Sequence, residues 1–277
     1  MDEIYIPVLA ALIIGGAAAG TFAGLLGIGG SILLVPLQFY LLTQIGYPPD
    51  VALKVSIATA LFFTFPTSFS SAYSHSKTKG TVLWNKAVLM GIFGFSFSFL
   101  GAYIASFLHA ASLSVIFGIV VLGASLKFMS ARQKESDSEM SRNPFLFAFC
   151  GAVMGLLAGL TGIGGGLVLI PLVTFLIKMP IRQAVGTSSA TIIFTAFGGV
   201  LSYIINGIDA VGLPPYSLGY INLLMWTALV IPGVLMATAS AKLSHRINPK
   251  YVKVLFSLIT FLVGIGMILK GFFLWVG

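Results

Sequence analysis

Two short glycine runs are where this chain could do chemistry. Gly27, Gly29 and Gly30 lead into Ser31, and Gly162, Gly164 and Gly165 lead into Gly166. Consecutive glycines stop a helix, because each costs roughly 1 kcal/mol relative to alanine in a helix interior. Glycine also reaches positive φ without steric penalty, so successive N–H groups can converge on one point. The helix that follows turns its positive N-terminal end towards the same point. The chemistry on offer is therefore anion binding by backbone donors. The same glycines also suit a tight hairpin between antiparallel helices, and the spacing by itself leaves that structural use open.

Hydroxyls add to the set. Ser56 and Thr59 stand three residues apart, as do Ser188 and Thr191, so each pair shares a helical face, with Thr187 and Ser189 adjoining the second pair. A hydroxyl can donate to an oxyanion; it can equally bond the carbonyl one turn back or a neighbouring helix, the commoner fate in a membrane. Lys54 precedes Ser56. Its ammonium could draw an anion into an outer vestibule or snorkel to the lipid headgroups.

Other chemistries lack their residues. Cys150 is the single cysteine, which leaves no internal disulfide and no cysteine-based metal site. His75, His109 and His245 fall at segment edges and form no metal cluster. No Asp or Glu lies deep within an apolar segment, so any proton coupling must use the substrate, a histidine or water. An intramembrane enzyme would need a nucleophile with its base, and the hydroxyls have no buried His, Lys or carboxylate beside them. The expectation is a protein that is not an enzyme and needs neither cofactor nor metal.

The elements that must position these residues are written in the composition. Of 277 residues, 58% are hydrophobic and 8% charged, with a mean hydropathy of +1.05. Soluble domains carry about a quarter charged residues. Apolar runs fall at 4–26, 31–45, 51–73, 84–108 and 112–129, then at 144–161, 166–178, 183–206, 218–241 and 251–275. The expected fold is an all-α polytopic membrane protein. A first transmembrane half, 1–130, is joined to a second, 144–277, by a polar cytoplasmic linker over 131–143.

Charge placement predicts the orientation. With ten crossings, 13 of the 15 basic residues fall on one set of alternating loops, because only Lys54 and Lys270 lie on the other (15 − 2 = 13). The opposite set holds Asp2, Glu3, Asp50 and Asp209. Both termini are therefore expected outside, and no signal peptide is read at the acidic start. The net charge of +8 is spread over short loops rather than gathered on one face, which argues against nucleic acid as a partner.

An odd number of segments per half turns the second half upside down relative to the first, and the residues repeat accordingly. Gly16, Gly20, Gly24, Gly27, Gly29, Gly30, Pro36 and Leu37 recur as Gly151, Gly155, Gly159, Gly162, Gly164, Gly165, Pro171 and Leu172, each displaced by 135 (151 − 16 = 135). Farther on, Ala52, Ser56, Ala58 and Thr59 recur as Ala184, Ser188, Ala190 and Thr191, displaced by 132 (184 − 52 = 132). Two inverted-topology repeats of five segments with glycine-broken helical hairpins are expected. The first three glycines of each set are four residues apart and line one face for close helix packing. Broken backbone at matching places in both halves is the sequence pointer to a transporter site.

The paired glycine motifs, followed by Val35-Pro36-Leu37 and Ile170-Pro171-Leu172 and then by Ala184-Val185-Gly186-Thr187-Ser188-Ser189, resemble the sulfite exporter TauE/SafE family. The resemblance spans nearly the whole chain. It implies a transporter of sulfite, of sulfonates such as sulfoacetate, or of related small oxyanions, commonly exporting them across the bacterial inner membrane. The first half departs from the motif at Lys54, Val55 and Ile57, where the second has Gly186, Thr187 and Ser189.

The expected site lies between the repeats, served by alternating access. Its substrate-binding residues are Gly27, Gly29, Gly30, Ser31, Ser56 and Thr59 with Gly162, Gly164, Gly165, Gly166, Thr187, Ser188, Ser189 and Thr191, and Lys54 lies at the vestibule. The expected partners are a small anionic substrate and the lipid bilayer, with homodimer formation left open. A gated anion channel and a non-transporting membrane assembly partner are the alternatives. Whether the hairpins at 4–45 and 144–178 span fully or are re-entrant is also open, because 144–161 and 166–178 are at or below spanning length.

Overall fold

The computed structural model describes residues 2–26, 30–78, 80–130, 140–243 and 249–276. Gly27 and Gly29 lie outside the described residues, as does most of the linker. The first half contains α1 (Asp2–Leu26), α2 (Ser31–Gln44), α3 (Pro49–Ser76), α4 (Trp84–Phe107) and α5 (Ala110–Ser130). The second contains α6 (Pro144–Thr161), α7 (Gly166–Leu176), α8 (Ile181–Gly207), α9 (Leu223–Leu243) and α10 (Pro249–Val276). A two-residue strand pair, β1 (Ser217–Leu218) and β2 (Ile221–Asn222), precedes α9.

Local chemistry starts and stops these helices. Pro49 stands at the start of α3 and Pro144 at the start of α6, where a missing N–H costs nothing. The Asn143 side chain caps α6 by accepting from the Phe145 amide at 3.0 Å. Gly162 ends α6 at φ 71, and its amide bonds Ala158 O. The apolar run expected from residue 218 becomes a helix only at Leu223. Gly219 at φ 56 turns the strand pair, and Asn222 Oδ1 then accepts from the Met225 amide at 2.8 Å to cap α9.

Among the described residues, eight helices are long and apolar enough to cross a membrane, whereas α2 and α7 are not. At a rise of 1.5 Å per residue they extend only about 21 Å and about 17 Å, against a hydrocarbon core of about 30 Å. Each carries an interior proline, Pro36 or Pro171, that removes one helical hydrogen bond. The chain is thus an all-α polytopic membrane protein.

The halves interlock. Side chains added at Gly16, Gly20 and Gly24 of α1 would overlap the backbone of Leu229, Gly233 and Ala237 of α9. At Gly151, Gly155 and Gly159 of α6 they would overlap Met90, Gly94 and Ser98 of α4. These partners are themselves displaced by a constant 139 (229 − 90 = 139). The first helix of each half therefore lies parallel to the fourth helix of the other, backbone to backbone, as small-residue faces permit.

Helices at the same place in the two halves run antiparallel. In α3 and α8, Leu61 meets Gly199 and Ser71 meets Ser189, the hydroxyls 3.1 Å apart. In α5 and α10, Ala111 meets Gly271, Gly118 meets Gly264, and Ser125 Oγ donates to Ser257 O at 2.8 Å. The centre of the molecule is the α3–α8 pair, whose spans are 72% and 67% buried against 28–44% for the other six.

Candidate functional site

The second glycine run is docked against the middle of α3. Gly162, Gly164 and Gly165 all have positive φ, at 71°, 69° and 82°. A Cβ on Gly162 would lie 2.7 Å from Ile57 O, and one on Gly164 would lie 2.5 Å from Thr64 Cγ2. Ile57 is eight residues inside one end of α3 and Thr64 twelve inside the other (57 − 49 = 8; 76 − 64 = 12). The α6–α7 hairpin accordingly turns beside the body of α3. A side chain at Gly162 or Gly164 would collide with α3, whereas Ile163 between them is buried in the core.

The first run has the same terminal geometry. Gly30 caps α2 at φ 63, ψ −15, and Gly165 caps α7 at φ 82, ψ −14. Side chains there would collide with Ala19 and Met154, which are themselves displaced by 135 (154 − 19 = 135). Both short helices therefore begin at a left-handed glycine buried inside the protein. The first amides of each helix lack intrahelical acceptors and carry the positive end of its dipole.

The hydroxyls named from sequence divide by what they bond. Thr59 Oγ1 accepts from the Asn222 amide at 3.0 Å, and Thr187 Oγ1 accepts from the Leu83 amide at 3.1 Å. Ser56 donates to Ala52 O at 2.6 Å. Thr191 donates to Thr187 O at 2.9 Å, and Ser189 to Val185 O at 2.9 Å while also meeting Ser71. These are helix and loop fastenings. Ser31 and Ser188 differ: both are fully buried, and neither hydroxyl has a partner among the described residues.

Lys54 does not reach into an open vestibule. Its ammonium donates to Ser106 O, a C-terminal carbonyl of α4, at 2.6 Å and lies 5.9 Å from the Tyr220 ring. Four residues earlier Asp50 accepts from the Ala110 amide and caps α5. The two side chains fasten the α4–α5 turn to the start of α3. Beside them is a cavity of about 310 Å³ lined by Asp50, His109, Ser112 and Trp275 among others.

Two residues of this region were not singled out from sequence. Thr64 provides the surface against which Gly164 packs, a contact that only the tertiary fold creates. Gln38 is fully buried in α2; its Nε2 donates to Leu34 O at 3.2 Å and approaches Ser56 O at 3.5 Å, while Oε1 has no partner among the described residues. Its signal was present as an amide inside an apolar run. Among the described residues, no group of three or more His, Cys, Asp or Glu side chains could hold a metal ion.

Comparison with known proteins places this arrangement. A probable membrane transporter protein of Methanocaldococcus jannaschii is 31% identical over 268 residues, covering 96% of this chain and 97% of its own. A probable membrane transporter protein of Haemophilus influenzae is 28% identical over 256 residues, covering 92% and 96%. One of Bacillus subtilis is 27% identical over 280 residues, covering 95% and 98%. No solved structure matches the chain. The family model for the sulfite exporter TauE/SafE matches residues 12–267. With that match running from α1 into α10, the chain belongs to the sulfite exporter TauE/SafE family and is a membrane transporter.

Proposed function

We propose that the chain is a secondary transporter of small oxyanions, with sulfite and sulfonates the first candidates, and that it moves them outward across a bacterial inner membrane. The site lies between two inverted repeats, residues 1–130 and 144–277, linked through 131–143 on the cytoplasmic side, with both termini outside. Backbone amides at the starts of α2 and α7 bind the anion, and Ser31 and Ser188 donate to it. Rocking one half against the other opens the site to each side in turn.

One observation carries this reading. Ser31 and Ser188 are completely buried hydroxyls with no partner among the described residues, and Ser31 opens a short helix behind a left-handed glycine. An unsatisfied buried hydroxyl is costly, so a ligand that supplies the missing bond explains its presence. An anion is the ligand that the neighbouring helix dipole also favours. Helices α2, α7 and α8 contain no carboxylate.

The reading is tested by thermal unfolding of the detergent-purified protein with sulfite, methanesulfonate or acetate added. A ligand that binds the folded state alone raises its stability by RT ln(1 + [L]/Kd). The expected result is a saturable rise in unfolding temperature with sulfite or methanesulfonate that is reduced in Ser31→Ala and Ser188→Ala. Identical unfolding temperatures with every anion would count against it.

A further inference from the structure

We propose that Gln38 reads a hydroxyl on the cargo, so that the transporter selects oxyanions that carry their own proton. This rests on the oxyanion reading above and narrows its substrate to hydrogen-form anions such as hydrogensulfite.

The amide's orientation is fixed by its neighbours. Nε2 faces two backbone carbonyls, Leu34 O at 3.2 Å and Ser56 O at 3.5 Å. Both are acceptors, so nitrogen and not oxygen must be turned to them. Oε1 is thereby left on the free side of the head group, fully buried and without a donor among the described residues. The bond to Leu34, one turn towards the N-terminus, bends the head group back along α2 in the direction of Gly30 and Ser31. Ser31 and Gln38, seven residues apart on one face of α2 (38 − 31 = 7), thus each hold a buried polar atom without a partner among the described residues.

An amide oxygen cannot stabilise a bare anion. It accepts only, and its partial negative charge opposes the cargo's. It can, however, accept the O–H of an anion that still holds a proton, while Ser31 and the backbone amides donate to that anion's unprotonated oxygens. A site built to bond a substrate hydroxyl rejects analogues without it, because its own polar group is then left unpaired. In the second half Gln38 is replaced by Val173 and Ser31 by Gly166 (173 − 38 = 135; 166 − 31 = 135). The acceptor therefore belongs to one half only and sets the orientation of a single bound anion.

Among the described residues, no carboxylate occupies the middle of a helix packed on α2. The helices packed on α2 are α1, α3 and α10. Their ionisable residues sit within about two turns of a helix end: Asp2, Glu3 and Tyr5 on α1; Asp50, Lys54, Tyr73 and His75 on α3; Lys250, Tyr251, Lys253 and Lys270 on α10. On α2 itself there is Tyr40, which is exposed. Lys54, two residues before Ser56, turns its ammonium to Ser106 O instead. The proton that crosses is then the substrate's own, and it moves with the anion without any transfer to a side chain.

The test compares two small monoanions, only one of which has a donor: hydrogensulfite and methanesulfonate. Flux of each is measured in proteoliposomes across a pH series. In the wild type, sulfite flux should follow the hydrogensulfite fraction and rise as pH falls, with methanesulfonate about tenfold slower and indifferent to pH. Gln38→Leu should lose about tenfold on hydrogensulfite, the loss of one ordinary hydrogen bond, and should carry methanesulfonate faster than the wild type does, because the unpaired acceptor that rejects it is gone. A Gln38→Leu variant that keeps the wild-type preference and pH profile would overturn the proposal. Should that variant not fold, Gln38→Glu replaces it. Its ionised carboxylate should block both anions and its neutral form restore the preference, and any other pattern overturns the proposal. Wild-type liposomes that carry neither anion would instead overturn the oxyanion reading, and this inference with it.

Discussion

The amide of Asn222 donates to Thr59 Oγ1 at 3.0 Å, so the first turn of α9 is fastened to the body of α3. The other half does the same with the Leu83 amide and Thr187 Oγ1 at 3.1 Å. The donors match between the halves (222 − 83 = 139, the displacement that relates α4 to α9), but the acceptors do not. The counterpart of Thr59 is Thr191 (59 + 132 = 191), and Thr187 lies one helical turn before it. The two connections that bracket the α3–α8 pair therefore close on it unequally.

Each threonine bond is a stability element. Thr59→Val and Thr187→Val keep the side-chain shape but leave a backbone N–H without its acceptor, which costs about 1–3 kcal/mol when buried. Thr59→Ser should be close to neutral. Thermal unfolding in detergent measures both, and equal unfolding temperatures for Thr59→Val and the wild type would show that the bond contributes nothing.

Close packing through glycine predicts a sharp contrast between sites. A side chain at Gly155 of α6 would overlap the backbone of Gly94, and backbone cannot swing aside as a side chain can. Gly155→Leu should therefore prevent folding or cost several kcal/mol, at or beyond the upper end of ordinary overpacking at about 3 kcal/mol. Gly123 and Gly266 have nothing within 4 Å of an added Cβ. Gly123→Ala and Gly266→Ala should leave the unfolding temperature unchanged or slightly raised, since alanine favours a helix by roughly 1 kcal/mol. Yield and unfolding temperature of the three variants decide the point.

Ser31 and Ser188 should behave in the opposite sense to the threonines. Neither hydroxyl has a partner among the described residues, so Ser31→Ala and Ser188→Ala should keep or slightly raise stability. Loss of a donor to the anion should lower substrate affinity about tenfold for each. Separation of the two readouts, unchanged unfolding and weakened binding, is the expected signature; a fall in stability with affinity intact would assign these serines to packing.

These contrasts also mark how far the sequence could be read. The helices lie close to where hydrophobic runs and breakers put them, because a run such as 144–161 is long, apolar and bounded by asparagine, proline and glycine. The glycine triads were legible as packing faces, but their partners on α4 and α9 were not, since Met90 and Leu229 carry no mark of the helix they touch. The strand pair before α9 was hidden because Leu218, Tyr220 and Ile221 read as more of the same apolar run. In the site, residue type showed which hydroxyls could bind an anion. Only tertiary contacts show that Thr59 and Thr187 are already engaged while Ser31 and Ser188 have no partner among the described residues. Gln38 was passed over because a single amide does not alter the hydropathy of its segment.

Lys54 provides a test of fastening against attraction. Its ammonium holds Ser106 O at 2.6 Å, and hydrogen bonds of charged groups contribute roughly 1.5–3 kcal/mol when shielded from water and less where water reaches them. Lys54→Met should lower the unfolding temperature while leaving the substrate concentration for half-maximal flux within about twofold of wild type, a change under 0.5 kcal/mol. A large loss of affinity that high salt reproduces in the wild type would instead identify Lys54 as an attractor of anions.

Sulfite flux into proteoliposomes containing wild-type protein or Gly164→Val tests the anion site most directly. Gly164 lies at φ 69, with Thr64 Cγ2 2.5 Å from where a Cβ would stand, so valine must displace the hairpin tip from α3. The predicted result is saturable flux in the wild type and none in the variant, with both proteins eluting as the same folded species. Undiminished flux through a correctly folded Gly164→Val would contradict a carrier site at the glycine breaks.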